Sequence, residues 1–167
     1  MYKTGDKIVY PLYGAGLIST LETKEIDGQV STYYVLNIPV GNLTISVSAA
    51  KATELGVRFV LPKETILGEL ESIKAIEADM PENWNLRFKE NMARIKTGIL
   101  SQVAIVFYSL LVREGHRGLS TAEKKMMTTS KQIILSELML SLDMDRQAAE
   151  DALEAVFPSK KHGDAKP

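Results

Sequence analysis

Trp84, the one tryptophan of the chain, opens the segment Asn83-Trp84-Asn85-Leu86-Arg87-Phe88-Lys89, which sets a large flat ring close to a guanidinium and an ammonium group. Cations of this kind neutralise phosphates whatever the base sequence, and an apolar ring can stack on, or insert between, bases that are already exposed. Together they suit distorted or melted DNA better than plain duplex. The same residues carry a second reading. Phe88, Met92 and Ile95 follow Trp84 at steps of four, four and three, the spacing of a single helix face, and such a stripe is the ordinary mark of core packing. A tryptophan in a first helical turn can serve both ends.

A second basic group, Lys124-Lys125 with Lys131, begins one turn into a segment headed by Ser120-Thr121-Ala122-Glu123, which has the spacing of a capping box. Like charges in a block usually form a solvated helix face. If this helix and the Arg87-Lys89 helix are neighbours, they make one concave positive surface with Trp84 at its edge. Catalytic chemistry has little support. The two histidines, His116 in a glycine-flanked turn and His162 near the end, read as solvent-exposed and share no metal-ligand spacing. Gly14-Ala15-Gly16 lacks the third glycine of a dinucleotide loop and the lysine of a phosphate loop, so it reads as a backbone device. Glu69, Glu71, Glu77, Glu150, Asp151 and Glu154 fall on helices spaced for packing. No nucleophile, base or metal cluster emerges, so no enzyme, metal or cofactor is expected.

The 167 residues carry a formal net charge of -1, which excludes a uniformly basic, histone-like protein and requires any nucleic-acid contact to be a local patch. Charge is segregated along the chain. Residues 61–80 hold two basic and five acidic side chains, 81–96 four and two, 113–131 five and two, and 132–157 one and six. The absence of cysteine excludes disulfides and thiolate sites and fits a reducing compartment. The first residues lead into a strand rather than a secretory signal, and the apolar stretch 99–112 is too short and too interrupted to cross a bilayer. A cytoplasmic protein is the expectation.

These groups must be positioned by two kinds of element. Residues 7–10, 16–22, 33–38 and 43–47 are β-branched or aromatic-rich runs separated by turn residues, with Asp27-Gly28 as a hairpin signal and a brief fifth strand near 57–60. Short strands this close together predict a small β-barrel or a bent antiparallel sheet over residues 1–60. After Pro62 the period becomes helical. Helices are predicted from Pro62, with Ile66, Leu67, Leu70, Ile73 and Ile76 on one face, then over about 82–96, 99–114, 120–142 and 146–157. The architecture expected is a two-domain β + α protein: a β domain over 1–60, a five-helix domain over 61–157, and a disordered tail over 158–167.

The order of features, from Gly5-Asp6-Lys7-Ile8-Val9-Tyr10-Pro11-Leu12-Tyr13-Gly14-Ala15-Gly16 through Glu22-Thr23-Lys24-Glu25-Ile26, Tyr33-Tyr34-Val35-Leu36 and Asn83-Trp84 to Gly118-Leu119-Ser120-Thr121-Ala122-Glu123-Lys124, resembles the CarD/CdnL family of bacterial transcription regulators. The opening motif is shared with the polymerase-interacting module of transcription-repair coupling factor, but this chain has a helical half and no room for helicase motors. The resemblance implies a Tudor-like N-terminal domain that binds the RNA polymerase β subunit and a helical domain that binds promoter DNA at the upstream edge of the bubble. It implies a non-catalytic factor, monomeric in its functional complex, with Trp84 wedged into the minor groove. Arg87, Lys89, Lys124 and Lys125 then support the DNA contact, and Lys24, Ile26, Ile45 and Ser46 the polymerase contact. Lys24 and Ser46 stand where relatives commonly carry arginines, and Leu86 where a basic residue is frequent. The competing expectation is a protein-protein adaptor that uses only the β domain, with Trp84 buried.

Overall fold

The structure is a computed structural model and describes residues 1–76 and 80–159. The expected strands pair into one five-stranded antiparallel sheet, β1 (Lys7–Tyr10), β2 (Gly14–Ile26), β3 (Gln29–Ile38), β4 (Leu43–Ser48) and β5 (Arg58–Phe59), in the order β4-β3-β2-β1-β5. β4 and β5 are the free edges, so the β half is an open bent sheet rather than a closed barrel. Its bend has a local cause: the β2–β3 register slips between Ile18 and Thr20, and a bulge there kinks and twists the strand. Asp27 and Gly28 both have positive φ, as a tight two-residue hairpin turn requires, and the arm they close projects beyond the end of β4. Ile8, Ile18, Tyr34, Leu36, Ile38 and Val47 form the small core of this half.

The chain then turns helical: α1 (Lys63–Ser72), a 3-10 turn at Ile73–Ala75, α2 (Trp84–Lys96), α3 (Leu100–His116), α4 (Thr121–Ser141) and α5 (Arg146–Val156). The five expected helices are present, with boundaries shifted by a residue or two. One expectation needs correction. On α1, Ile66, Leu70 and Ile73 are buried but Leu67 and Ile76 are exposed; Ile76 follows the point at which the helix tightens to three residues per turn, so the 3.6-residue face does not continue to it. α3 and α4 supply most of the second core, which α1, α2 and α5 cover. Glu77, His162 and most of the expected tail lie outside the described residues.

The two halves are fastened through α4. Glu137 is fully buried, and its carboxylate accepts from Arg58 Nη1 and Nη2 at 2.7 and 2.9 Å and from the Leu61 backbone N–H at 3.0 Å. Arg58 Nε donates to the Gly98 carbonyl, which ties the α2–α3 link into the same clasp. Next to it, Ser136 Oγ accepts from the Ala15 N–H at 2.8 Å. A side chain at Gly14 (φ 112°) would meet Ser136 Oγ at 2.7 Å, and one at Gly98 (φ 69°) would meet Pro11 at the same distance. Glycine is therefore required on both sides of the junction, and Gly14-Ala15-Gly16 is a close-approach device. Lys7 adds a peripheral bond to the Leu140 carbonyl and an ion pair with Asp143.

Removing one partner of a buried, hydrogen-bonded ion pair leaves the other charge uncompensated. Glu137→Ala should therefore lower unfolding free energy by about 3–5 kcal/mol in urea denaturation. A loss below about 1 kcal/mol, the scale of an exposed pair, would show that the clasp is not a structural fastening.

Candidate nucleic-acid interface

The first turns of α2 and α4 lie side by side and are joined by a repeated bond pattern. Asn83 caps α2 by accepting from the Leu86 N–H, and Ser120 caps α4 within a full capping box. The Ser120 hydroxyl oxygen accepts from the Glu123 backbone N–H and from Trp84 Nε1–H, both at 3.2 Å, using two lone pairs. One turn further, Arg87 Nε donates to Glu123 Oε1 at 2.7 Å, while Glu123 Oε2 accepts from the Ser120 N–H. Trp84 thus meets Ser120 and Arg87 meets Glu123, each pair 36 residues apart.

Trp84 is 42% exposed, with its ring stacked on Phe88 at a centroid distance of 5.3 Å and an interplanar angle of 20°. The stripe behind it runs inward, since Phe88 and Met92 pack against the helical core and Ile95 lies within it. The tryptophan therefore stands at the outer end of a core face, backed on one side and open on the other. Leu86, also exposed, extends the apolar surface at the start of α2.

Arg87 departs from the expected phosphate contact. It is 3% exposed, and Nη1 donates to the Pro81 and Glu82 carbonyls in addition to the Glu123 pair. Its charge is neutralised inside the protein, where it holds both α4 and the segment that leads to Trp84. Lys124 is exposed on the first turn of α4, one position after Glu123, whereas Lys125 is exposed about 160° round α4 from Glu123, on a face turned from α2. Lys89 is exposed too, but two helical positions place it about 160° round α2 from Arg87, on a face turned from α4. The positive charge on the α4 side of the ring is thus Lys124, without Arg87 and with Lys89 and Lys125 on faces turned away.

The expected polymerase contacts fall into two places on the sheet. Lys24 and Ile26 lie on the protruding β2–β3 arm, Lys24 with Nζ 5.0 Å from the Tyr33 ring and Ile26 57% exposed. Ile45 and Ser46 lie on edge strand β4, where Ser46 is exposed and Ile45 is half-buried against the β core. His116 is exposed at the end of α3. Sequence reading missed Glu123 as the seat of Arg87, and Ser136, Glu137 and Arg58 as the junction. For Ser136 and Glu137 a signal existed, since they are polar residues inside the buried run 133–138. No group of three or more potential metal ligands occurs among the described residues.

Burial of the Glu123 carboxyl would raise its pKa. The Arg87 bond, the Ser120 N–H and the charges of Arg87 and Arg113 outweigh that and hold it below the ordinary glutamate value. A carboxyl with a depressed folded-state pKa contributes stability fully above its unfolded value, about 4.3, and loses it as pH falls through the folded value. Glu123→Gln should accordingly be less stable than wild type at neutral pH, by roughly 3 kcal/mol, with the difference narrowing below about pH 4. A pH-independent difference in denaturant midpoint would contradict this assignment.

Two family models match the chain: one described as CarD-like/TRCF RID domain over residues 2–60, and one described as CarD, C-terminal domain over residues 70–154. The candidate transcription factor YdeB of Bacillus subtilis (strain 168) is 31% identical over 138 residues, which is 83% of this chain and 90% of that protein. With the N-terminal sheet, the helical half and the tryptophan at the head of α2 in the order the motifs predicted, the chain belongs to the CarD-like family of bacterial transcription regulators.

Proposed function

We propose that this protein binds the RNA polymerase β subunit through its sheet and promoter DNA at the upstream edge of the bubble through Trp84, and thereby changes the stability of the open complex. The observation that carries the reading is the half-exposed indole, backed by Phe88 and held by Ser120 at the start of the helix that carries Lys124. A ring so held has its orientation determined before binding, which lowers the ordering cost of inserting it next to an unpaired base. Lys124 supplies sequence-independent attraction to phosphates beside the ring, and Lys125 and Lys89 separate charges on the far sides of α4 and α2. Arg87 acts through Glu123 as a positioning residue. A ring and lysines that contact any base and any phosphate suit recognition of the promoter by its melted edge rather than by its sequence.

On the other half, edge strand β4 offers backbone groups for strand addition, and the β2–β3 arm offers Lys24 and the exposed Ile26 as side-chain contacts. Lysine at position 24 cannot make the bidentate bond an arginine would, so apolar and backbone contacts carry more of this interface. Because Glu137 and Ser136 fasten the sheet to α4, a polymerase-bound sheet presents Trp84 at a defined place. The factor needs no catalysis: it favours the melted state by its differential affinity for that state and no more. Its place of action is the cytoplasm, where polymerase works.

Trp84→Ala should speed decay of polymerase–promoter open complexes by the loss of stacking worth about 1–3 kcal/mol, with polymerase binding retained. Its folding cost should be about 2 kcal/mol, from the Phe88 stack, the Ser120 bond and the covered half of the ring, below the roughly 3–5 kcal/mol of a fully buried aromatic. A wild-type lifetime, or a severely destabilised protein, would overturn the wedge. Lys24→Glu and Ile26→Asp should each weaken capture of polymerase while melting within a few degrees of wild type, since both side chains are exposed. Unchanged capture by both would remove the arm from the interface.

A further inference from the structure

Beyond Ile18, which still bonds to Gly5 and Asp6, the side of β2 that faces away from β3 meets no other strand among the described residues. Residues 19–26 are exposed there on both faces, leaving an unpaired strand edge about 25 Å long. Which of its backbone groups point outward follows from the register. The Thr32 carbonyl accepts from the Ala49 N–H on the β4 side, so Thr32 turns its backbone groups away from β2. Its partner Thr23 is therefore a non-hydrogen-bonded position of the β2–β3 pair, with its own N–H and C=O directed at the open edge; Leu21 and Glu25 share that direction. Between them, Glu22 and Lys24 are exposed and form no ion pair among the described residues, the Lys24 ammonium lying over the Tyr33 ring.

We propose that this edge pairs with the same edge of a second copy of the chain, antiparallel and with the two-fold axis at Thr23. An antiparallel self-pairing must set outward-pointing residues opposite one another, which leaves few registers. A centre at Glu22, Lys24 or Glu25 brings identical charges face to face. A centre at Thr23 sets Glu22 opposite the second copy's Lys24 and Lys24 opposite its Glu22, in the closely spaced non-hydrogen-bonded positions, while Leu21 and Glu25 exchange backbone bonds. A centre at Leu21 forms no such charge pair and runs into the bulge between Ile18 and Thr20. The Thr23 register also uses the whole open edge, since Asp27 in the turn of one copy falls opposite Ser19 of the other, one residue short of Ile18, whose outer side is already bonded. A run of one charge would repel a second copy; Glu-Thr-Lys, reversed, is complementary to itself. The pairing covers Lys24 and so excludes the polymerase contact proposed above; that consequence, unlike the pairing, rests on the polymerase reading.

The test is sedimentation equilibrium of the full-length protein over a range of concentrations, joined to crosslinking. Wild type should dimerise as concentration rises. Glu22→Lys and Lys24→Glu each turn both cross-strand pairs from attraction to repulsion, and each should raise the dimer dissociation constant by about tenfold. An equimolar mixture of the two variants, and the double variant Glu22→Lys/Lys24→Glu, should restore it. Both residues are exposed, so melting temperatures should stay near wild type. The chain has no cysteine, so Thr23→Cys introduces a sole thiol, which should give a disulfide-linked dimer on mild oxidation, its twin lying about 5.5 Å away between Cα atoms. Thr20→Cys, about 20 Å from its twin, should not. Wild type that stays monomeric at millimolar concentration, a dissociation constant unmoved by either reversal, or linkage through Thr20→Cys in place of Thr23→Cys overturns the pairing. RNA polymerase should lower the yield of linked Thr23→Cys protein; an unchanged yield overturns the exclusion and removes the arm from the polymerase interface.

Discussion

Burial of Arg87 against Glu123 fixes how the start of α2 meets the start of α4, and the indole takes its position from that contact. The guanidinium bridges three partners: the Glu123 carboxylate and the carbonyls of Pro81 and Glu82. Both side chains are almost fully buried, so neither can turn outward without leaving its counterpart desolvated and unpaired. Such a pair gives less net stability than apolar packing would, but its directional bonds admit one register of α2 on α4. In that register Trp84 Nε1–H reaches the Ser120 hydroxyl. Glu123 closes the capping box with the same carboxylate that holds Arg87, so the start of α4 and the seat of the tryptophan form one hydrogen-bonded unit.

A second buried carboxylate on α4 performs the corresponding task at the other end of the helix. Glu137 gathers Arg58 and the Leu61 backbone, while Ser136 takes the Ala15 N–H. α4 is therefore the shared member: its first turn carries the Trp84 seat, and its later turns carry the sheet. This geometry suits a factor whose two contacts must be made at a set separation on one large assembly, because ordering the halves beforehand lowers the cost of the second contact.

Most of the elements were legible in sequence, because the change from alternating to 3.6-residue periodicity after Pro62 follows directly from which faces are buried. The β2–β3 arm was read too short for a related reason. Its outer residues 19–30 are exposed on both faces, so they carry no burial pattern and are held by strand pairing alone. Ile76 was misplaced because a 3-10 turn interrupts the helix period. Trp84, Lys124 and Lys125 were visible as chemistry, and the capping box marked Ser120 and Glu123. What sequence could not give was the use of Arg87. A basic residue beside an aromatic reads as a phosphate contact until a carboxylate 36 positions away is known to face it, and no local spacing announces that meeting.

The lifetime of the open promoter complex, measured across a double-mutant cycle of Trp84→Ala and Glu123→Gln, tests most directly whether the buried pair acts by placing the ring. If it does, Glu123→Gln shortens the lifetime when Trp84 is present and has no further effect once Trp84 is alanine, so the two losses are strongly non-additive. Additive losses, or a Glu123→Gln protein that folds and sustains a wild-type lifetime, would contradict the dependence of the wedge on the Arg87–Glu123 pair.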